Sequence, residues 1–280
     1  MSRLYETLRR TEAQGGNPTP MQGAAMHPFE LIKNAMAEPT EMEAMPTAKI
    51  DVTENARLVS LTDSRGLGAE KFRALVTRLE RQRKERDLRS LQVTSSISNE
   101  GKTLVAGNLA ATLAKHTESR VLLVEGDLHR PTLGSLFGLR GLRGIGDWWQ
   151  AREKEEQISK YVYRLGDMPL YFLSAGASFI QPSQILQSAR FAETFVRLAH
   201  WFDWVVVDST PILPLIDTNL WSRLVDGTLL VVREGVTPVR ALKKSIEMLD
   251  KPDLVGVVLN EASEFDRTNY ADQYYALNRP

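Results

Sequence analysis

Three short stretches of this chain carry side chains whose types and spacing suit phosphate chemistry. The first, TSSISNEGKT over residues 94–103, ends in Gly101-Lys102-Thr103, the tail of the pattern G-x-x-x-x-G-K-[ST]. In such a loop backbone N–H groups wrap the phosphates, the lysine neutralises the terminal ones and the Ser/Thr hydroxyl ligates Mg²⁺. The first glycine of the pattern is missing, and Ser96 occupies its place. A serine there costs little if its φ is negative. Asn99 carries the turn instead, because Asn is the non-glycine residue that best tolerates a left-handed conformation. The second stretch is VLLVEGDLHRP, which places Glu125 and Asp127 at the end of an apolar run. Two carboxylates beside a nucleotide divide the work, one on the metal or its waters and the other as proton acceptor for a hydroxyl. The third is WVVVDST, where Asp208 ends a run of β-formers and could hold Mg²⁺ through water. One such acid alone is more often a cap or turn residue; three features on successive strand ends make a site.

The elements that must position these residues alternate. Strands are predicted over 90–95, 120–127, 170–176, 203–210, 226–234 and 253–260, and helices over 69–87, 102–116, 189–202 and 239–250. Strands that alternate with helices predict an α/β domain with a mostly parallel sheet and helices on both faces. The Gly-Lys-Thr follows a strand and opens a helix, whose positive end favours phosphate. Open α/β sheets bind ligands at the C-terminal ends of their strands, where Glu125, Asp127 and Asp208 fall. This assigns nucleotide contacts to Ser98, Asn99, Glu100, Gly101, Lys102, Thr103 and Leu104. Metal contacts fall to Thr103, Asp127 and Asp208. Asn260 ends the last strand, where P-loop ATPases contact the base.

Composition narrows the function. Lys+Arg and Asp+Glu both number 35 in 280 residues, so no global field draws the chain to nucleic acid or anionic lipid. There is no cysteine, which excludes disulfides, thiol catalysis and cysteine-based metal sites. The start MSRLYETLRR has no apolar segment of a secretory signal, and no run approaches the ~20 apolar residues of a membrane-spanning helix. Residues 1–12 could form a short amphipathic helix on Leu4, Tyr5 and Leu8, and 13–60 read as a linker rich in Pro, Gly, Met and Glu. Trp148 and Trp149 are expected to cap the sheet or dock a partner. The four histidines are scattered without metal spacing, and the basic run RLERQRKERD reads as a solvated helix face.

Across roughly residues 65–275 these motifs resemble the cytoplasmic kinase domain of bacterial tyrosine kinases, the autokinases of exopolysaccharide and capsule production. The family's S-x-x-P-G-E-G-K-[ST] is SSISNEGKT here, with Ser98 and Asn99 in place of Pro and Gly. Its D-A-D-L-R-R-P is EGDLHRP here, with Glu125 for the first Asp and His129 for the first Arg. Its D-[ST]-P-P corresponds to Asp208-Ser209-Thr210-Pro211. FLSAGASFIQPSQILQSARF and DTNLWSRLVDGTLLVVREGVT match two further family stretches. The family's ring-forming E-x-x-R-x-x-R is thinned to Glu70, Arg73 and Val76, with Arg78 two places on.

The resemblance implies an arm or linker over 1–60, a P-loop tyrosine kinase domain over 61–265 and a tyrosine-bearing tail over 266–280. It implies ATP and Mg²⁺, catalysis by Lys102, Glu125 and Asp127, and Tyr270, Tyr274 and Tyr275 as phosphoacceptors. Either Glu125 or Asp127 takes the tyrosine proton. The expected partner is a membrane-anchored chain-length regulator that activates the kinase, and a homo-oligomer is possible. The expected location is cytoplasmic, at the inner face of the plasma membrane through that partner, with no nucleic acid and no span of its own. Two other readings stay open. One is a spatial-regulation ATPase, whose extra signature lysine is Ile97 here. The other is a catalytically weak nucleotide-binding scaffold.

Overall fold

The computed structural model describes residues 42, 44–151, 157–176, 182–213, 217–249 and 254–262. The helix expected over 1–12 and the tail tyrosines lie outside them. Eight strands form one sheet: β1 Thr47–Ala48, β2 Ser90–Ser95, β3 Val121–Glu125, β4 Val162–Leu165, β5 Leu170–Leu173, β6 Trp204–Asp208, β7 Gly227–Arg233 and β8 Leu254–Asn260. Their order is β1-β4-β5-β3-β6-β2-β7-β8. Every pairing is parallel except β4 with β5. β3, β5 and β6 are buried along their whole length, as their near-continuous apolar runs require when both faces are covered, and β2 is buried as fully although four of its six residues are polar.

Nine helices cover the sheet among the described residues: α1 Val59–Thr62, α2 Leu67–Arg86, α3 Lys102–His116, α4 Leu133–Leu136, α5 Ile145–Gln150, α6 Pro182–Gln187, α7 Ala189–Ala199, α8 Asp217–Ser222 and α9 Val239–Met248. On one face the small side chains Ala106, Ala110, Ala111 and Ala114 let α3 lie close against Leu91, Val93, Leu123 and Val206. On the other, Trp148, Phe191, Phe195 and Trp221 pack with Leu122, Val124, Val205 and Val207. Trp148 is buried, and the Arg190 guanidinium lies 4.4 Å from its ring centre, so this tryptophan caps the sheet. Along α2 the charged face is laced by pairs such as Arg81–Glu85 at 3.5 Å. The parallel sheet switches direction of winding around β6: β2 and β3 flank it, so the loops after β2, β3 and β6 open onto one crevice.

The end of the expected linker is part of the domain. β1 extends the sheet beside β4, and Leu58 is fully buried in the core that holds α3. The Ser60 N–H donates to Asn108 Oδ1 at 3.0 Å, and Asn108 Nδ2 donates to the Arg57 carbonyl at 3.1 Å. The segment has no apolar period because its anchors, Met45, Ala48 and Leu58, enter the core singly. Leu58→Ala is expected to cost about 2–4 kcal/mol of unfolding free energy, measured by urea denaturation. A loss below about 0.5 kcal/mol would return this segment to the linker.

Candidate nucleotide site

The loop between β2 and α3 keeps its shape by side-chain anchors. Ser96 is fully buried and keeps φ below zero, so the lost glycine costs no backbone strain. Asn99 takes φ +67° and Gly101 φ +91°. A side chain on Gly101 would also run into Asn260 Nδ2. Glu100 is fully buried and turned into the protein: Oε2 accepts from the Ile97 N–H at 2.8 Å and Oε1 from the Thr237 hydroxyl. Asn260 Nδ2 donates to the Glu100 carbonyl at 2.9 Å. Of the residues expected to touch nucleotide, Glu100 and Asn260 therefore brace the loop. Ser98 and Asn99 are exposed at its tip, and Gly101, Lys102, Thr103 and Leu104 are half-buried where it turns into α3.

Lys102 sits between the acids. Its Nζ lies 3.0 Å from Asp127 Oδ2 and 3.3 Å from Asp208 Oδ1, and it donates to Thr103 Oγ1 at 3.2 Å. Burial works against this ammonium, but Asp208 and Asp127 outweigh burial and hold its pKa above the usual lysine value. Burial also pushes Asp208 up to about 6, against the attraction of Lys102 and the Thr103 hydroxyl. Thr103, Asp127 and Asp208, the expected metal contacts, are thus gathered around one cation. Asp208 Oδ2 is buried with no hydrogen-bond partner. An orphaned anionic oxygen beside a hydroxyl is a donor set that fits Mg²⁺ held through water. Among the described residues no three His, Cys, Asp or Glu side chains cluster as a metal cage. The hydroxyl and the phosphates themselves would have to complete the shell.

Glu125 and Asp127, left by the sequence as alternative proton acceptors, stand in different surroundings. Asp127 faces Lys102 with one oxygen and accepts from the Arg130 N–H at 3.0 Å with the other. Glu125 accepts from the Gly134 and Ala175 N–H groups and from the Ser174 hydroxyl. Between them, Gly126 leaves room for Trp221: an added Cβ would meet Val207 Cγ1 at 2.6 Å and Trp221 Cε2 at 3.0 Å. Trp221 Nε1 donates to the Gly126 carbonyl at 3.1 Å. His129 pairs with the buried Asp217 at 2.9 Å. Sequence reasoning misses Thr237, Ser174 and Trp221, since no local motif marks them. Val76 is buried in the core beside α3, while Glu70 and Arg73 pair with each other along α2.

No family model matches the chain. Tyrosine-protein kinase YwqD of Bacillus subtilis is 28% identical over 205 residues, covering 72% of this chain and 85% of YwqD. The structure of the BceF tyrosine kinase domain superposes with a TM-score of 0.63 at 26% identity, covering 91% of this chain and 96% of that domain. A curated relative named a tyrosine-protein kinase and a neighbouring kinase-domain structure together support a place for this chain among the bacterial tyrosine kinases. The kinase also matches the succinoglycan biosynthesis transport protein ExoP of Rhizobium meliloti, 30% identical over 194 residues, 66% of this chain but only 24% of ExoP. The loop between β2 and α3 keeps its place in the fold with Ser96 in the position of the pattern's first glycine.

The raised pKa of Asp208 has a signed consequence for the nucleotide-free kinase. Folding favours the protonated form, since about 6 lies above the ordinary 3.8. The stabilising contribution of that proton is full below about pH 4 and is lost as pH rises through about 6. Asp208→Asn, which mimics the neutral acid, is expected to gain on the order of 1–3 kcal/mol over the unsubstituted chain above pH 6. The gain should vanish toward pH 4, as read from paired thermal melts between pH 4 and 8.

Proposed function

We propose that this kinase transfers the γ-phosphoryl group of ATP to the tail tyrosines Tyr270, Tyr274 and Tyr275 of a neighbouring copy, and that it does so in exopolysaccharide export. The observation that carries this reading is the Lys102 ammonium held at the start of α3 by Asp127 and Asp208. The ammonium, the two acids and the Thr103 hydroxyl beside it are the kinds of group this reading calls for. The loop N–H groups from Ser98 to Leu104 and the Lys102 ammonium bind and orient the phosphates. Thr103, Asp208 and Asp127 would hold Mg²⁺, which would supply charge neutralisation for the phosphates when bound. Asp127 takes the proton from the tyrosine hydroxyl as the tyrosine oxygen bonds to the γ-phosphorus. The bond from that phosphorus to the bridging oxygen breaks, and ADP leaves. Positioning and charge supply most of the rate, because the protein forms no covalent intermediate.

The wider setting rests on the relatives. ExoP is named for succinoglycan biosynthesis and transport. No helix among the described residues is long and apolar enough to cross a membrane. A membrane-anchored chain-length regulator is the proposed activator, and in this proposal it brings the kinase to the inner face of the plasma membrane. Ile97 stands where spatial-regulation ATPases carry their signature lysine, which disfavours that reading.

The purified chain, incubated with Mg²⁺ and γ-labelled ATP, is expected to label itself on tyrosine. Replacing Tyr270, Tyr274 and Tyr275 together by Phe should lower labelling at least 10-fold, and Lys102→Met should bring it to background. Free phosphate without labelled protein would identify an ATPase, and nucleotide binding with neither would identify a scaffold; either result overturns the kinase proposal.

A further inference from the structure

Glu125 stands where the family's pattern has aspartate, and the motif alone makes it one of two alternative proton acceptors. Its surroundings say otherwise. The side chain is 4% exposed, and both carboxylate oxygens are taken. Oε1 accepts from the Gly134 N–H at 3.0 Å, and Oε2 from the Ser174 hydroxyl and the Ala175 N–H, each at 3.1 Å. β3 lies between β5 and β6, and two of the partners of Glu125, Ser174 and Ala175, lie just beyond β5, on the side away from Asp208. The Ser174 hydroxyl also accepts from the Gly176 N–H at 3.2 Å, and the carbonyls of Ser174 and Ala175 receive the N–H groups of Ile145 and Gly146. One carboxylate thus ties the end of β3 to the start of α4 and to the turn after β5.

Beyond Glu125 the chain is pinned at each of the next two residues. The Gly126 N–H donates to the Asp208 carbonyl at 2.8 Å, and the Gly126 carbonyl accepts from Trp221. Asp127 then closes its own turn on the Arg130 N–H and faces Lys102. We infer that Glu125 is a positioning residue, a buried latch that sets Asp127 for the transfer, and that the longer side chain, Gly126 and Trp221 form one matched set. This rests on the kinase reading above only for what Asp127 does. The inference runs against the motif: restoring the family's aspartate should harm this chain. Aspartate is one methylene shorter, roughly 1 Å of reach, and misplacement on that scale costs on the order of 10²-fold in rate. It would also leave buried N–H donors without acceptors.

The test compares Glu125→Asp, Glu125→Gln, Ser174→Ala and Asp127→Asn in the full chain. Three readouts are taken: thermal melting without nucleotide, affinity for fluorescent Mg²⁺·ADP, and tyrosine phosphorylation kinetics. Both Glu125 variants are expected to melt about 3–8 °C lower, whereas Asp127→Asn melts within about 2 °C of the unsubstituted chain or higher. Both should bind Mg²⁺·ADP within about 3-fold of it while kcat falls about 10- to 100-fold. Ser174→Ala, which removes one donor and keeps the carboxylate, should lower kcat about 2- to 5-fold with the same unchanged affinity, and it carries the test if the Glu125 variants fail to fold. Glu125→Asp with undiminished turnover and an unchanged melt would overturn the latch. So would Glu125→Gln as silent as Asp127→Asn but with no loss of melting temperature, which would make Glu125 the proton acceptor. Were the unsubstituted chain to label no tyrosine, the kinase reading would fall, and the melting series would still decide the latch.

Discussion

A buried ammonium between two carboxylates governs the whole crevice. Lys102, Asp127 and Asp208 together carry one more negative than positive charge when all are ionised, in a place largely closed to water. Taking charges out of water is expensive, and an unpaired one more so. Part of that cost surfaces at Asp208, which burial drives toward its neutral form. An incoming triphosphate would draw the ammonium to itself and leave the acids in need of another cation, which is the demand that Mg²⁺ meets. Burial, sheet order and the close packing of α3 all serve to bring these three side chains to one point.

The walls of that crevice are set by partners distant in the chain. Glu100 and Thr237 are separated by 137 positions, Gly126 and Trp221 by 95, and Glu125 and Ser174 by 49. Each contact closes a polar group that would otherwise be buried unsatisfied. The departures from the general phosphate-loop pattern and from the family's motifs have physical companions. Ser96 suits a backbone that needs no positive φ there, Asn99 one that does, and Gly126 yields to the bulk of Trp221.

This pattern also explains what could be read in advance. β2 and α3 were legible to the residue, because a buried parallel strand followed by a glycine and an alanine-rich helix leaves a local imprint. The sequence reads β3 and β6 slightly long, and Glu125 and Asp208 are the last residues of the two strands. The antiparallel β4 and the two-residue β1 escape it: Val-Tyr-Arg-Leu is too short to show a period, and β1 exists only because β4 offers an edge. Val76 stands out in the sequence for the guanidinium it lacks, whereas its role is packing under α3. The different tasks of Glu125 and Asp127 are invisible there for the same reason as Thr237 and Ser174. Which donors a carboxylate meets is decided by folding and not by its neighbours in sequence.

Asn260 is the last residue of β8, and its amide is what holds the Glu100 carbonyl. The next residue, Glu261, is tethered by Arg57 and Arg233. β8 ends at that point. A displacement of this strand end is therefore passed through a single amide to the loop between β2 and α3, and the two arginines that hold Glu261 oppose it.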